Sequence, residues 1–324
     1  MPNKFFCKEA GMNKNNFLGA LVLSVTLWMY GAGKASAQPA AAATGVPAHL
    51  VVTVEPRKGS DVPVIHREDV MVYEGKDRDT VTDWVPAQGD QAALQLFILL
   101  DDASSMSLGT QLDDIRKFIN EQPDSTLIGV AYMQNGIAQV VQNLTSDHAL
   151  AAKSLRLPMG MGGVNASPYF SLSDLIKRWP ATTARRAVLM VTDGIDRYYG
   201  VGDTLDPYLD AAIDDAVRGG IAVSAIYNPD AGHFGHSYWW NYWGQIYLSR
   251  LAAETGGEGY YIGLTGPAVA FAPYLDDMGK RLTHQYLLTF LAKPPKKAGW
   301  QHVRLRTEVP NADLISSDKV WVTP

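Results

Sequence analysis

Leu94-Gln-Leu-Phe-Ile-Leu-Leu-Asp-Asp-Ala-Ser-Ser-Met106 decides the reading of this chain. Its near-continuous apolar start suits a strand covered on both faces. The strand then runs straight into acids and hydroxyls. Ala187-Val-Leu-Met-Val-Thr-Asp-Gly194 ends the same way, with Asp193 at its tip. In an open parallel α/β sheet, ligands bind at the carboxyl ends of the strands. Two strands that each deliver a carboxylate to that rim predict an oxygen-lined cation site.

Outward from these strands, helical and extended periods alternate. Leu112, Ile115, Phe118 and Ile119 share one helical face. Thr126–Met133 and Ile137–Val141 form a hairpin across Asn135-Gly136. Helices are expected at 147–155, 171–179, 208–217 and 246–254, and strands at 186–191, 221–226 and 259–262. A last helix is expected at 268–282, kinked or divided by Pro273. The alternation predicts a doubly wound, mostly parallel α/β sheet with one antiparallel edge strand. Alternating segments at 50–55, 70–73 and 80–85, and again at 285–290 and 302–308, lie outside this pattern. They are expected to pair in a small β module built from both ends of the chain. The expected organisation is therefore β strands over 49–90, the α/β domain over 91–284, and the remaining β strands over 285–324.

The 324 residues are 47% hydrophobic and 19% charged, with a formal net charge of -5. That supplies a sizeable core. It excludes the basic stripe that nucleic-acid binding requires. Lys14, the apolar run Phe17–Tyr30 and the small-x-small sequence Ala35-Ser-Ala37 have the form of a cleaved export signal over 1–37. Either Met1 or Met12 serves as the start. The apolar run is short for a span of ~20 residues, so no stable membrane anchor is expected after cleavage. Residues 38–48 are rich in Ala and Pro and read as a flexible leader. The only cysteine, Cys7, departs with the signal. The expected location is periplasmic or secreted.

The two strand ends resemble those of a von Willebrand factor type A domain, which carries a metal-ion-dependent adhesion site. That site uses Asp-x-Ser-x-Ser, a Thr from a later loop, and an Asp-Gly after the fourth strand. The resemblance covers roughly Leu94 to Ile262 and includes Glu254-Thr-Gly-Gly257 before a short strand. Val72–Gly75 and Tyr286–Leu288 are similar to segments flanking the domain in the acidobacterial von Willebrand factor A-related proteins. The resemblance implies metal ligands at Asp101, Ser105 and Asp193, with Mg²⁺ or Mn²⁺ as the ion. It also departs from the pattern, because Ala103 replaces the first Ser and Val164 stands where Thr belongs. A frame starting at Asp102 recovers Ser104 but ends on Met106. Ala and Val offer no lone pairs to a hard cation. Without a cation, Asp101 and Asp193 would repel, which predicts protonation of one or pairing with Asn165 or a backbone donor.

Pro229 to Gly244 reads as a long aromatic loop after the strand that ends at Ile226. Its Tyr238, Trp239, Trp240, Tyr242 and Trp243, with His233, His236 and the rim residue Asn165, are the expected partner-binding residues. Exposed Trp and Tyr give binding energy at low entropy cost, for a protein or a glycan. The competing reading is a hydrophobic cover packed on the domain's flank or on the β module. His233 and His236 have ligand-like spacing, but no third Zn²⁺ ligand is evident. No Gly-x-Ser-x-Gly elbow or His-Glu-x-x-His motif occurs. The expected function is non-enzymatic adhesion or scaffolding through the carboxyl rim, with a weak divalent-cation dependence where the degenerate site holds an ion. The alternatives are a metal-independent structural component of a cell-envelope complex and a hydrolase.

Overall fold

The computed structural model describes residues 45–160, 163, 166–200, 202, 205–229, 237–260 and 269–324. The expected signal over 1–37 therefore lies outside the described residues, as do Val164, Asn165, His233 and His236.

Three strands of an antiparallel sheet come first: β1 (Val46–Pro56), β2 (Val70–Glu74) and β3 (Asp77–Pro86). The α/β part follows as β4 (Leu94–Asp101), α1 (Leu112–Asn120), β5 (Thr126–Gln134), β6 (Ile137–Thr145), α2 (His148–Lys153), α3 (Pro168–Arg178) and β7 (Arg185–Thr192). It continues through α4 (Pro207–Arg218), β8 (Ile221–Tyr227), α5 (Tyr238–Thr255), β9 (Gly259–Tyr260) and α6 (Ala272–Thr283). The chain closes with β10 (Gln285–Ala292), β11 (Gly299–His302), β12 (Arg304–Thr307), β13 (Ala312–Ile315) and β14 (Lys319–Val322).

The central sheet runs β6-β5-β4-β7-β8-β9. All its pairings are parallel except β5–β6. Strand side chains alternate between faces, and β4 divides accordingly. Leu96, Ile98 and Leu100 pack with α1, α2 and α6, whereas Phe97 and Leu99 pack with α3, α4 and α5. Both faces are thus covered, which is why the strand is apolar at successive positions. Each fully buried aliphatic side chain contributes about 1.5–3 kcal/mol.

The β module joins both ends of the chain, as expected. Its larger sheet runs β12-β2-β3-β10-β1-β13, and β11 pairs with β14 separately. Arg185 fastens the α/β part to it. Its guanidinium donates to the Leu282 and Ala92 carbonyls at 3.0 Å and also to Gln285 Oε1. Burial lowers the Arg185 pKa to about 10. Among the described residues, no helix is long and apolar enough to cross a membrane.

Several boundaries differ from the sequence reading. Val46–Ala48 are already strand rather than leader, because they pair with Phe290–Ala292. Pro273 occupies the first turn of α6 and starts the helix instead of kinking it, since its missing N–H lies where no helical partner exists. The expected strand at 302–308 is divided. His302 pairs with Lys319, whereas Arg304 pairs with Tyr73. The alternating pattern runs through the break, so the change of partner leaves no mark in the sequence. The largest revision concerns Tyr238–Trp243, which form the first turns of α5 rather than a loop. Ser237 caps that helix by accepting from the Trp240 N–H. Tyr238 stacks on Tyr242 one turn later at 6.4 Å between ring centroids.

Candidate functional site

The sheet order places β4 beside β7, with connections leaving in opposite directions. That is the switch point at which a doubly wound sheet opens a crevice. Leu100 pairs with Val191, so Asp101 comes level with Thr192. The Thr192 hydroxyl accordingly donates to Asp101 Oδ2 at 2.7 Å, and the Ala103 N–H donates to Asp101 Oδ1 at 2.9 Å. Burial, and then the charge of Asp193, push the Asp101 carboxyl up to about 6, against the opposing pull of Arg197.

Asp193 is fully buried. Its Oδ1 accepts from the Ile195 N–H at 3.0 Å, and its Oδ2 meets Arg197 Nη2 at 2.5 Å. The backbone turns sharply here. Gly194 has φ +70°, and a methyl group on it would stand 2.5 Å from the Gly244 carbonyl oxygen. Asp196, also fully buried, accepts from the Tyr198 and Tyr199 N–H groups and from the Ser167 hydroxyl. The loop after β7 is therefore held from inside by two carboxylates. Its outer side is tied by the Arg197 N–H to the Ala166 carbonyl at 3.0 Å.

Ser105 lies apart from this network. It is exposed, its hydroxyl bonds Ser107 Oγ at 2.5 Å, and it caps the 3-10 turn Met106–Gln111. Ser104 instead points inward and accepts from Asn228 Nδ2 at 3.2 Å. Asp102 is fully buried and clamped by Arg156 through two hydrogen bonds of 2.7 and 3.1 Å. It also accepts from the Met159 N–H at 2.9 Å. Arg156 in turn lies 3.9 Å from the centre of the Tyr132 ring. Each acid after the two rim strands thus has its own arginine or hydroxyl partner. Sequence reading missed Arg156, Thr192 and Arg197. The four-residue spacing from Asp193 to Arg197 was a usable signal, but Arg156 lies far from Asp102 in the chain.

The aromatic residues form a second feature of the same rim. Tyr238, Trp239, Trp240 and Tyr242 are 78%, 52%, 37% and 46% exposed. Trp243, expected among them, is buried and packs with Tyr247 and Leu248. Trp239 lies one turn earlier on the same face of α5, with its ring 5.7 Å from that of Trp243, but only Trp243 reaches the core cluster. Tyr198 and Tyr199, half exposed on the loop after β7, were not foreseen. Their rings lie 5.6 and 5.9 Å from Tyr208. A methyl group on Gly202 would stand 3.4 Å from Trp239 Nε1, so this loop adjoins the start of α5.

No family model and no curated protein matches the chain. Solved structures of similar outline include an aerotolerance-related membrane protein of Bacteroides fragilis, at 15% identity over 59% of this chain and 98% of that one, with TM-score 0.40. The von Willebrand factor domain of the type V pilus tip protein Mfa5 of Porphyromonas gingivalis aligns at 11% identity over 58% and 94%, with TM-score 0.43. The VWA2 paralog of ArnB from Sulfolobus acidocaldarius aligns at 9% identity over 85% and 76%, with TM-score 0.39. The α/β part is a doubly wound, mostly parallel sheet with a single antiparallel edge strand, covered by helices on both faces.

Proposed function

We propose that this chain is an exported, non-enzymatic protein-binding module that captures its partner at the carboxyl rim of the α/β sheet. The observation that carries the reading is the concentration of exposed Tyr238, Trp239, Trp240, Tyr242, Tyr198 and Tyr199 at that rim. Monomeric surfaces seldom expose large contiguous apolar patches without a binding role. Tyr and Trp also dominate the energetics of protein interfaces. The capped helix and the internally bonded loop after β7 hold these rings in place before a partner arrives, which lowers the entropy cost of association. Export rests on the leader sequence Phe17–Tyr30 followed by Ala35-Ser-Ala37.

Site-specific photo-crosslinking in the source cell's envelope tests the reading. A crosslinker at Trp240 is expected to yield a discrete protein adduct that Trp239→Ala abolishes. A crosslinker at Val64, which is exposed on the β module, is expected to yield none. Equal labelling from both positions, or none from the rim, overturns the proposal. Retention on immobilised glycans with no protein adduct assigns the surface to sugars instead.

A further inference from the structure

We infer that the guanidinium of Arg197 is this domain's permanent rim cation, standing in the place of a divalent metal, so that the site works without Mg²⁺ or Mn²⁺. A hard divalent ion needs about six oxygen ligands at close range. The Asp193 carboxylate is engaged by Arg197 Nη2 at 2.5 Å and by the Ile195 N–H at 3.0 Å. The Asp101 carboxylate takes the Thr192 hydroxyl and the Ala103 N–H. Ala103 presents a methyl where the pattern has a hydroxyl, and Ser105 faces solvent against Ser107. Among the described residues, no group of three His, Cys, Asp or Glu side chains could hold a metal ion.

The guanidinium is itself well placed for the role. Its side chain is only 17% exposed, and it feels the charges of Asp193, Asp101 and Asp196 together. A divalent ion entering between Asp101 and Asp193 would meet this fixed positive charge in a poorly solvated pocket. The arginine also lessens the need for a metal, because it offsets part of the repulsion between the two buried carboxylates. A chelator can strip a metal but cannot strip a side chain.

The inference stands apart from the binding reading, because its test reads metal and stability rather than partner capture. Calorimetry of the full chain with Mn²⁺ and Mg²⁺ is expected to give no saturable heat at millimolar metal. Melting in Mg²⁺ and in chelator is expected to coincide. Arg197→Gln should lower the melting temperature by on the order of 10 °C, because it strands a buried charge. Adding Asp193→Asn should restore part of that loss. One equivalent of Mn²⁺ bound by the wild-type chain and lost in Asp193→Asn overturns the inference. So does an Arg197→Gln chain that melts with the wild type. The titration of the wild-type chain decides the matter even if that variant does not fold.

Discussion

Gly244 lies so close to Asp193 that a methyl group on it would stand 2.1 Å from the Asp193 carbonyl oxygen. Helix α5 and the loop after β7 therefore meet backbone to backbone. Gly244→Ala must push them apart, and overpacking of this kind costs about 1–3 kcal/mol. Urea unfolding is expected to show that loss. Gly279→Ala is the control. It lies inside α6, where a methyl group would meet only Phe118 at 3.9 Å, and it should hold or raise stability by up to ~1 kcal/mol.

The pair Asp102–Arg156 should behave as a buried ion pair. Arg156→Gln leaves Asp102, which is fully buried, without its bidentate partner. Breaking such a pair costs about 3–5 kcal/mol. Asp102→Asn added to Arg156→Gln is expected to recover much of the loss, because the stranded charge is gone. A double-mutant cycle by chemical denaturation measures the coupling. A coupling near zero would show that the clamp is incidental.

Trp239 and Trp243 are one helical turn apart yet should respond differently to truncation. Trp243→Ala opens a cavity in the core and is expected to cost about 3–5 kcal/mol. Trp239→Ala removes a half-exposed ring that packs on Trp243 and Tyr242 and should cost only about 0.5–1.5 kcal/mol, while weakening partner capture. Thermal melts together with rim crosslinking separate the two effects.

Asp79 predicts a pH dependence of stability. Burial, and then the neighbouring Glu74 carboxylate, raise its pKa from 3.8 to about 6. The folded state therefore holds a proton that the unfolded state releases. Stability should be highest below about pH 4 as far as this group is concerned, and should fall as pH rises through about 6. Asp79→Asn is expected to remove that slope and to stabilise the chain above pH 7 by on the order of 1–3 kcal/mol. Urea midpoints measured at several pH values check it.

Much of the fold was legible because burial leaves a period. The apolar run of β4 and the spacing of Leu112, Ile115, Phe118 and Ile119 each reported a covered face. Partner changes left no such trace, so β11 and β12 read as one strand, and β13 and β14 were not foreseen. Tyr238–Trp243 misled because their aromatic richness suggested a loop, whereas the Ser237 cap and the i,i+4 ring pairs favour helix. At the site, Asp101 and Asp193 do come to one rim, since a parallel register brings strand ends together. Ser105 does not join them, because a cap to the next turn uses its hydroxyl. Arg156 reaches Asp102 only through tertiary folding, which no local spacing encodes.

Thr53 in β1 pairs with Gln285 on one side and with Ile315 on the other. During synthesis, this strand leaves the ribosome long before either neighbour exists. The α/β strands find partners nearer in the chain, whereas β1 must wait until nearly everything after it has been made. Such distant pairings slow folding and keep an unpaired edge available to other chains in the meantime. The last strands thus act as the latch of the module, and a chain cut short before Ala312 would leave β1 open along the edge that β13 covers.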